Sequence, residues 1–280
     1  TGATLDWPGA LLLLLGLPSL VLVIVQGAAW GWASAPSLSL GAIAAAALLA
    51  FVQVERRVAA PIIDVQLFAN RRFVAGVVAS FGLAVFYCVA FFVMPLYLAL
   101  IRGEGVQASG WLLLPTTLGV ALLSPLVGRL VDRKGPALLI KTGLLLFVLS
   151  AALQVGFDRQ TSLPYLLAAF GLMGLGWASI LGPSTVLGIS AVPQDVSSVA
   201  MGSLMTLHNV GGGLGLAVGV GLYHHFAGPL AGDVQGAFLQ GYRAVMVFLA
   251  LVSLAVWALV SLLLRAPVPA PLAEEGAHGG

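Results

Sequence analysis

The residues most able to do chemistry in this chain are a few polar ones set among long apolar runs, in a sequence that is only 8% charged. His208 and Asn209 are adjacent inside one such run. Polar groups in apolar surroundings are costly, so they usually face the interior of a helix bundle. A histidine, with an ordinary pKa of about 6.5, could bind and release a proton there. We therefore predict that this pair belongs to a functional site.

The acidic residues, unlike His208, all lie outside the apolar runs. They are Asp6, Glu55, Asp64, Glu104, Asp132, Asp158, Asp195, Asp233, Glu274 and Glu275. No carboxylate pair, His–carboxylate couple or nucleophile elbow lies inside a run, which argues against an intramembrane enzyme. Proton-driven carriers generally need a carboxylate or histidine in a desolvated site. Within the runs, His208 is the only candidate for that role.

Metal and cofactor sites are not predicted. Cys88 is the single cysteine, which excludes an internal disulfide and a CxxC site. His224 and His225 are adjacent, so a helix would point them about 100 degrees apart, and no carboxylate cluster completes a metal site with them. The glycine-rich run around Gly215 contains no GxGxxG in register and follows no strand, which excludes a dinucleotide site. A net charge of +2 does not suggest nucleic acid as a partner.

The elements that must position these residues are transmembrane helices. Hydrophobic residues make up 60% of the chain, more than a water-soluble domain could cover, and several uncharged runs approach or exceed the roughly 20 residues that cross a bilayer. The eight predicted spans are Gly9–Val25, Leu38–Val54, Phe73–Leu100, Ser109–Leu130, Pro136–Gly156, Leu163–Gly182, Met201–Tyr223 and Tyr242–Leu264. They lack the alternating polar face of a barrel strand. The predicted fold is an all-α, polytopic helical membrane protein.

The basic residues predict the orientation. With eight crossings and the first residue in the cytoplasm, nine of the twelve basic residues fall inside. Those nine are Arg56, Arg57, Arg71, Arg72, Arg129, Arg133, Lys134, Lys141 and Arg265. The positive-inside rule therefore favours two cytoplasmic ends in a multi-pass plasma membrane, the cytoplasmic membrane of a bacterium.

One cytoplasmic segment, GRLVDRKG, is unusually rich in charge. Gly128 and Gly135 bracket it and could release two helices into a tight turn. Asp132 could meet the positive N-terminal end of the next helix, which leaves Arg133 free to reach a neighbouring bundle. A plain topological signal and a gate or lock both fit this pattern.

The pattern Gly128-x-x-x-Asp132-Arg133-x-Gly135 resembles the signature loop of the major facilitator superfamily. LDWPGALLLLLGL (Leu5–Leu17), ERRVAAPIIDVQLFANRRF (Glu55–Phe73) and MGSLMTLHNVGGGLGLAVGVGL (Met201–Leu222) resemble the extra hairpin, the linker and the glycine-rich penultimate helix of its fourteen-span drug:proton antiporter branch, the EmrB/QacA type. The signature departs from the family, which usually continues with two basic residues, where this chain has Pro136-Ala137. His208 stands where relatives often carry an arginine.

The resemblance implies a domain organisation. Residues 1–58 would be a central two-helix hairpin and 59–72 a cytoplasmic linker. Residues 73–265 would be the C-terminal six-helix bundle, whose halves Phe73–Gly156 and Leu163–Leu264 are expected to be inverted repeats. Residues 266–280 are rich in proline, glycine and acid, which predicts a disordered cytoplasmic tail. The N-terminal half of the protein, with the main proton-coupling acid, would lie outside this chain.

Candidate binding residues follow from their types. Gly211, Gly215 and Gly219 recur every four residues and share a helix face, which suits static close packing or a sliding helix. Aromatic, thioether and hydrogen-bonding side chains within the spans suit a cavity for a large lipophilic, including cationic, compound. The candidates to line it are Tyr87, Phe91, Trp111, Thr116, Thr117, Trp177, Ser179, Met205, His208 and Asn209.

Two functions remain open from the sequence. One is the C-terminal part of a proton-driven exporter of lipophilic compounds, in which protons, substrate, the bilayer and the missing half are the partners. The other is a non-transporting membrane scaffold or assembly subunit, which needs only packed helices.

Overall fold

A computed structural model describes residues 6–58, 63–227 and 233–265, and all regular structure in these ranges is helical. The long helices are α1 (Trp7–Trp30), α2 (Ala35–Glu55), α3 (Arg71–Leu100), α4 (Val106–Lys134), α5 (Pro136–Val155), α6 (Leu163–Ile189), α7 (Ser197–Ala227) and α8 (Val234–Leu263). Short 3-10 turns cover Val65–Ala69 and Gln194–Val196. Within the described residues, eight helices are long and apolar enough to cross a membrane. The predicted all-helical, eight-span fold is confirmed.

Several helix ends differ from the prediction, and local chemistry explains the difference. Helix α8 begins eight residues earlier, where the Asp233 carboxylate accepts a hydrogen bond from the Gly236 amide at 3.0 Å. Helix α6 continues past Gly182 because Pro183 is accommodated inside it. Helix α4 extends to Lys134, and Gly135, with φ of 78°, ends it. A side-chain cap therefore sets the start of α8 and a left-handed glycine sets the end of α4, rather than the loss of hydrophobicity.

The six helices α3–α8 pack in a pattern with internal symmetry. Helix α3 packs on α6, α7 and α8, and α6 packs on α3, α4 and α5. Exchanging α3 with α6, α4 with α7 and α5 with α8 converts the α3–α7 contact into α6–α4 and the α5–α6 contact into α8–α3. This is the pairing expected of two three-helix repeats, α3–α5 and α6–α8.

Helix α3 is the centre of this bundle. Phe73, Phe86, Met94 and Tyr97 on α3 have no exposed surface. Burial of side chains of this size on several faces is typical of a helix that is enclosed by its neighbours. Residues from α3 can therefore reach the inner faces of three other helices.

The hairpin of α1 and α2 packs on itself, and α1 also packs on α7. Large apolar side chains cover its outer surface, including Leu14 at 69% exposure and Leu49 at 67%. Such a surface is costly in water and suits lipid. Residues 1–5 and 59–62 of the predicted hairpin and linker, and the predicted tail 266–280, lie outside the described residues.

Glycines set the close crossings of α6. A Cβ at Gly76 would lie 2.7 Å from the carbonyl oxygen of Ser184, and one at Gly174 would lie 2.6 Å from that of Thr116. Helices α3 and α4 therefore approach α6 backbone to backbone, as small residues allow in membranes. These crossings hold α6 against the faces of α3 and α4.

A buried polar chain joins α8, α5 and α6. The Tyr242 hydroxyl donates to Gln154 Oε1 at 2.7 Å, and Gln154 Nε2 donates to the Ser150 hydroxyl at 3.1 Å. Ser150 Oγ donates in turn to the Ala169 carbonyl at 2.7 Å. All three side chains are fully buried, so each depends on this chain for its hydrogen bonds.

Candidate functional site

Aromatic rings from α3 and α6 meet a histidine of α7 near the middle of these helices. The rings of Tyr87 and Trp177 stack with centroids 4.9 Å apart and an angle of 8° between their planes. Phe91, one turn further along α3, meets Trp177 edge-on at 5.6 Å. The His208 ring lies 5.8 Å from that of Tyr87. We call Tyr87, Phe91, Trp177 and His208 the aromatic cluster. All four are residues that the sequence singles out, and all are partly buried.

Hydrogen bonds fix the imidazole within the aromatic cluster. His208 Nδ1 lies 3.0 Å from the Ser80 carbonyl oxygen and 2.9 Å from Ser80 Oγ. A carbonyl can only accept, so this contact favours the hydrogen on Nδ1 when the ring is neutral. Nε2 then remains the acceptor and faces the Tyr87 hydroxyl at 3.5 Å. Polar atoms at both edges of the ring therefore hold its plane.

Ser80 is the member of this site that the sequence analysis missed. The sequence does indicate its position, since Ser80 and Tyr87 are seven residues apart on α3 and so share a helix face. A serine inside an apolar run is common, however, and several serines here bond only to their own helix, as Ser253 does with Leu249. Only the partner on α7 distinguishes Ser80.

The glycine face of α7 explains how His208 reaches Ser80. Gly211, Gly215 and Gly219 lie against Phe81, Val85 and Val89 of α3, respectively. A Cβ at Gly215 would lie 2.8 Å from the Val85 Cα, inside any normal contact distance. The two backbones approach because a side chain is absent. His208, one turn before Gly211, is thereby brought within hydrogen-bond distance of α3.

Asn209 does not join His208, because consecutive helical residues point about 100 degrees apart. Asn209 is exposed and lies in a groove of about 300 Å³ between α1 and α7. The groove is lined by Leu17, Val21, Thr206, Asn209, Val210, Gly213 and Leu214. The adjacent polar pair of the sequence is thus divided between two faces of α7.

Other candidates also lie away from the aromatic cluster. Thr116 is fully buried, and its hydroxyl donates to the Phe170 carbonyl at 3.2 Å in the α4–α6 crossing. Thr117 is exposed and bonds within α4, while Trp111 on the same helix is 66% exposed. Ser179 donates to its own helix. These side chains therefore do not line a common surface with Tyr87.

Met205 lies near the α6–α7 junction. It packs on a small apolar cluster that includes Leu67, Phe73 and Leu204. This cluster joins the short 3-10 turn after α2 to the first turns of α3 and α7. Met205 therefore packs at the junction of hairpin and bundle.

Comparison with known proteins decides the family. A model of the Major Facilitator Superfamily matches residues 2–216 and 73–279. The chain belongs to this superfamily. Multidrug resistance protein Stp of Mycobacterium tuberculosis is 31% identical over 221 residues, which are 76% of this chain and 40% of the relative. The tetracenomycin C resistance and export protein of Streptomyces glaucescens is 29% identical over 213 residues, 76% of this chain and 40% of the relative.

A third superfamily relative is the uncharacterized MFS-type transporter YcnB of Bacillus subtilis, 27% identical over 241 residues. Those residues are 85% of this chain and 50% of the relative. The chain thus spans about half the length, or less, of these curated relatives. All three names describe resistance, export or transport, and none describes an enzyme.

The superfamily signature segment is helical here, which corrects its prediction as a loop. Gly128, Asp132 and Arg133 all lie within the last turns of α4, and only Gly135 lies between helices. Asp132 is exposed and makes no hydrogen bond to α5 within the described residues. Arg133 and Lys134 stand instead in the last turn of α4, where cations are stabilised by the helix dipole.

Proposed function

We propose that this chain is the C-terminal part of a secondary transporter of the fourteen-span drug:proton antiporter branch, and that the whole protein exports lipophilic drugs or related small molecules by alternating access. The names of Stp and of the tetracenomycin C exporter support this function for a chain of the same family. The two-helix hairpin ahead of a six-helix bundle supports the fourteen-span branch.

The observation that carries the proposal is the aromatic cluster. Stacked and edge-on rings at mid-bilayer depth supply flat apolar contact for a lipophilic compound, and their faces attract a cation. The imidazole of His208 beside them adds a hydrogen-bonding group, and its contacts with Ser80 fix the plane of the ring. A cavity wall of this kind selects by shape and polarity, which suits a range of related substrates.

Proton coupling is assigned mainly to the part of the protein outside this chain. Within the described residues, no aspartate or glutamate lies in the middle of any of the helices α1–α8. Asp6 precedes α1, Glu55 ends α2 and Asp132 is in the last turn of α4. His208 is the one titratable side chain of the aromatic cluster that changes charge near neutral pH. We assign the main coupling acid to the N-terminal half and a modulating role to His208.

The close approach of α7 to α3 supplies the moving part. Gly211, Gly215 and Gly219 place no α7 side chain in this contact, so a shift of α7 along α3 meets only the α3 side chains there. We propose that this shift moves His208 relative to Tyr87 as the cavity changes sides. We further assign the protein to the cytoplasmic membrane of a bacterium, with both ends of this chain in the cytoplasm.

Replacement of Trp177 by leucine in the full-length protein tests the site. Loss of the indole ring removes one aromatic pair with a bound aromatic substrate, which is worth about 0.5–1.5 kcal/mol beyond the burial of apolar area. We therefore predict a fall of about two- to tenfold in kcat/KM for export of such a substrate. Efflux of a fluorescent lipophilic cation from proteoliposomes with an imposed proton gradient measures it.

Trp257→Leu on α8 is the matched control, because Trp257 is also a partly buried tryptophan packed on the core but makes no ring contact with the aromatic cluster. Its transport is expected to match that of the parent at equal reconstitution. Equal transport by the Trp177→Leu variant would contradict the assignment of the aromatic cluster. Efflux that survives collapse of the proton gradient would contradict proton coupling.

A further inference from the structure

The two ends of the helix bundle treat their charges differently. The start of α1, the junctions α2–α3, α4–α5 and α6–α7, and the end of α8 lie at one end, and the junctions α1–α2, α3–α4, α5–α6 and α7–α8 lie at the other. The first end, which we call the basic end, carries nine basic and five acidic side chains among the described residues, a net charge of +4. The opposite end carries three of each and is neutral.

At the opposite end every arginine has a protein acceptor. Arg102 Nη1 donates to the Thr161 carbonyl at 2.7 Å, and its Nε lies 3.6 Å from Glu104. Arg159 pairs with Asp233 at 3.3 Å. Arg243 contacts the Phe157 carbonyl at 3.5 Å. The arginines at this end therefore have their hydrogen-bond and ion-pair partners within the fold.

At the basic end, no lysine or arginine side chain makes an ion pair or hydrogen bond with the described residues. Eight of the nine are exposed, and Lys141 is half-buried. None of the five acids of this end forms an ion pair with these cations within the described residues. Asp6 and Glu55 are buried, and Asp64 caps a 3-10 turn through the Gln66 amide. The cations are presented to partners outside this fold.

Arg71 and Arg72 show that the fold alone does not account for these charges. They occupy the first turn of α3, which contains no acidic residue. A cation at this end opposes the helix dipole. Asn70 Oδ1 caps the first turn by accepting from the Arg72 and Phe73 amides, but its side chain is neutral and leaves the charges of the two arginines unbalanced. An anion beside the two guanidinium groups would offset that cost. Their position therefore favours an external anionic partner.

The depth of these residues identifies the partner. Arg56 and Arg57 follow α2 directly, and Arg71 and Arg72 begin α3, so all four flank helices that span the bilayer. Side chains just outside a span lie at the level of the phospholipid headgroups. We propose that the basic end binds the phosphates of anionic phospholipids, which thereby act as specific partners of this chain.

Arg71→Gln/Arg72→Gln in the full-length protein tests the proposal. Native mass spectrometry of protein titrated with phosphatidylglycerol against phosphatidylcholine measures the relative binding constant of the two lipids. A juxtamembrane arginine contributes a factor of about five to attraction for an anionic surface. The parent is expected to prefer phosphatidylglycerol, and the variant to lose about fivefold of that preference for each arginine.

Three further samples separate the alternatives. Arg102→Gln/Arg159→Gln at the opposite end should keep the parental preference, and Arg71→Lys/Arg72→Lys should keep most of it because the charge remains. Soluble glycerol phosphate should not compete. An unchanged preference in Arg71→Gln/Arg72→Gln would overturn the proposal and assign these arginines to carboxylates elsewhere in the full-length protein. Retention of glycerol phosphate in place of lipid would equally overturn it.

Discussion

Replacement of Gly215 by alanine measures how much the close approach of α7 to α3 contributes to the free energy of unfolding. The new Cβ would lie 2.8 Å from both the Cα and the Cγ1 of Val85, whereas ordinary contact begins at 3.4 Å. Helix α7 must therefore move away from α3 by about 0.6 Å, because one of these atoms is backbone and cannot rotate aside. Overpacking of this kind costs about 1–3 kcal/mol.

Gly213→Ala is the matched control. It lies on the same helix, and a Cβ there would meet nothing within 4 Å. Alanine is favoured over glycine in a helix by about 1 kcal/mol at both positions. That gain cancels when the two variants are compared, so their free energies of unfolding should differ by the packing cost, about 1–3 kcal/mol, with Gly215→Ala the less stable.

Unfolding of the full-length protein in mixed dodecylmaltoside and sodium dodecyl sulphate micelles measures this difference. Far-ultraviolet circular dichroism and tryptophan fluorescence should give the same midpoint if the comparison is two-state. Equal stabilities of the two variants, or a more stable Gly215→Ala, would refute the close approach of α7 and α3 as the origin of the glycine pattern.

Two other predictions test the interior and the topology. Tyr242→Phe should lower the free energy of unfolding by about 1–3 kcal/mol, because it leaves Gln154 Oε1 buried without a donor, whereas Tyr165→Phe removes an exposed bond and should change little. The same micelle titration measures both, and equal effects would contradict the buried chain. Single cysteines at positions 102 and 133, in a chain without Cys88, should react with an impermeant maleimide from opposite sides of the membrane. Reaction of both from outside would contradict the eight-span topology.

The helices could be predicted from sequence because length and hydrophobicity alone define a membrane span. Their ends could not, since they depend on local bonds. The charges of Asp132 and Arg133 suggest a loop, yet α4 continues through them, because nothing breaks a helix there until Gly135 takes a φ of 78°. Charge marks where a helix leaves the hydrocarbon, whereas backbone conformation decides where it stops.

The candidate site was predictable in its residue types but not in its grouping. Tyr87, Trp177 and His208 stand out as aromatic or titratable side chains in apolar runs, and they meet in the fold. Their meeting depends on the rotation of three helices about their axes, which hydrophobicity does not reveal when nearly every position is apolar. For the same reason Asn209 looked equivalent to His208 and lies on another face of α7.

The bonds that join the loops at the opposite end give the bundle a mechanical consequence. Tyr97 holds the Asp158 carbonyl, and Gln235 holds that of Leu100, so α3, α5 and α8 are tied together where they leave the membrane. A helix of 30 residues such as α3 is about 45 Å long. A tilt of about 5° about this tied end would carry the other end through about 4 Å. Such a tilt would leave the neutral end of the bundle nearly in place and would displace the arginine-rich basic end most.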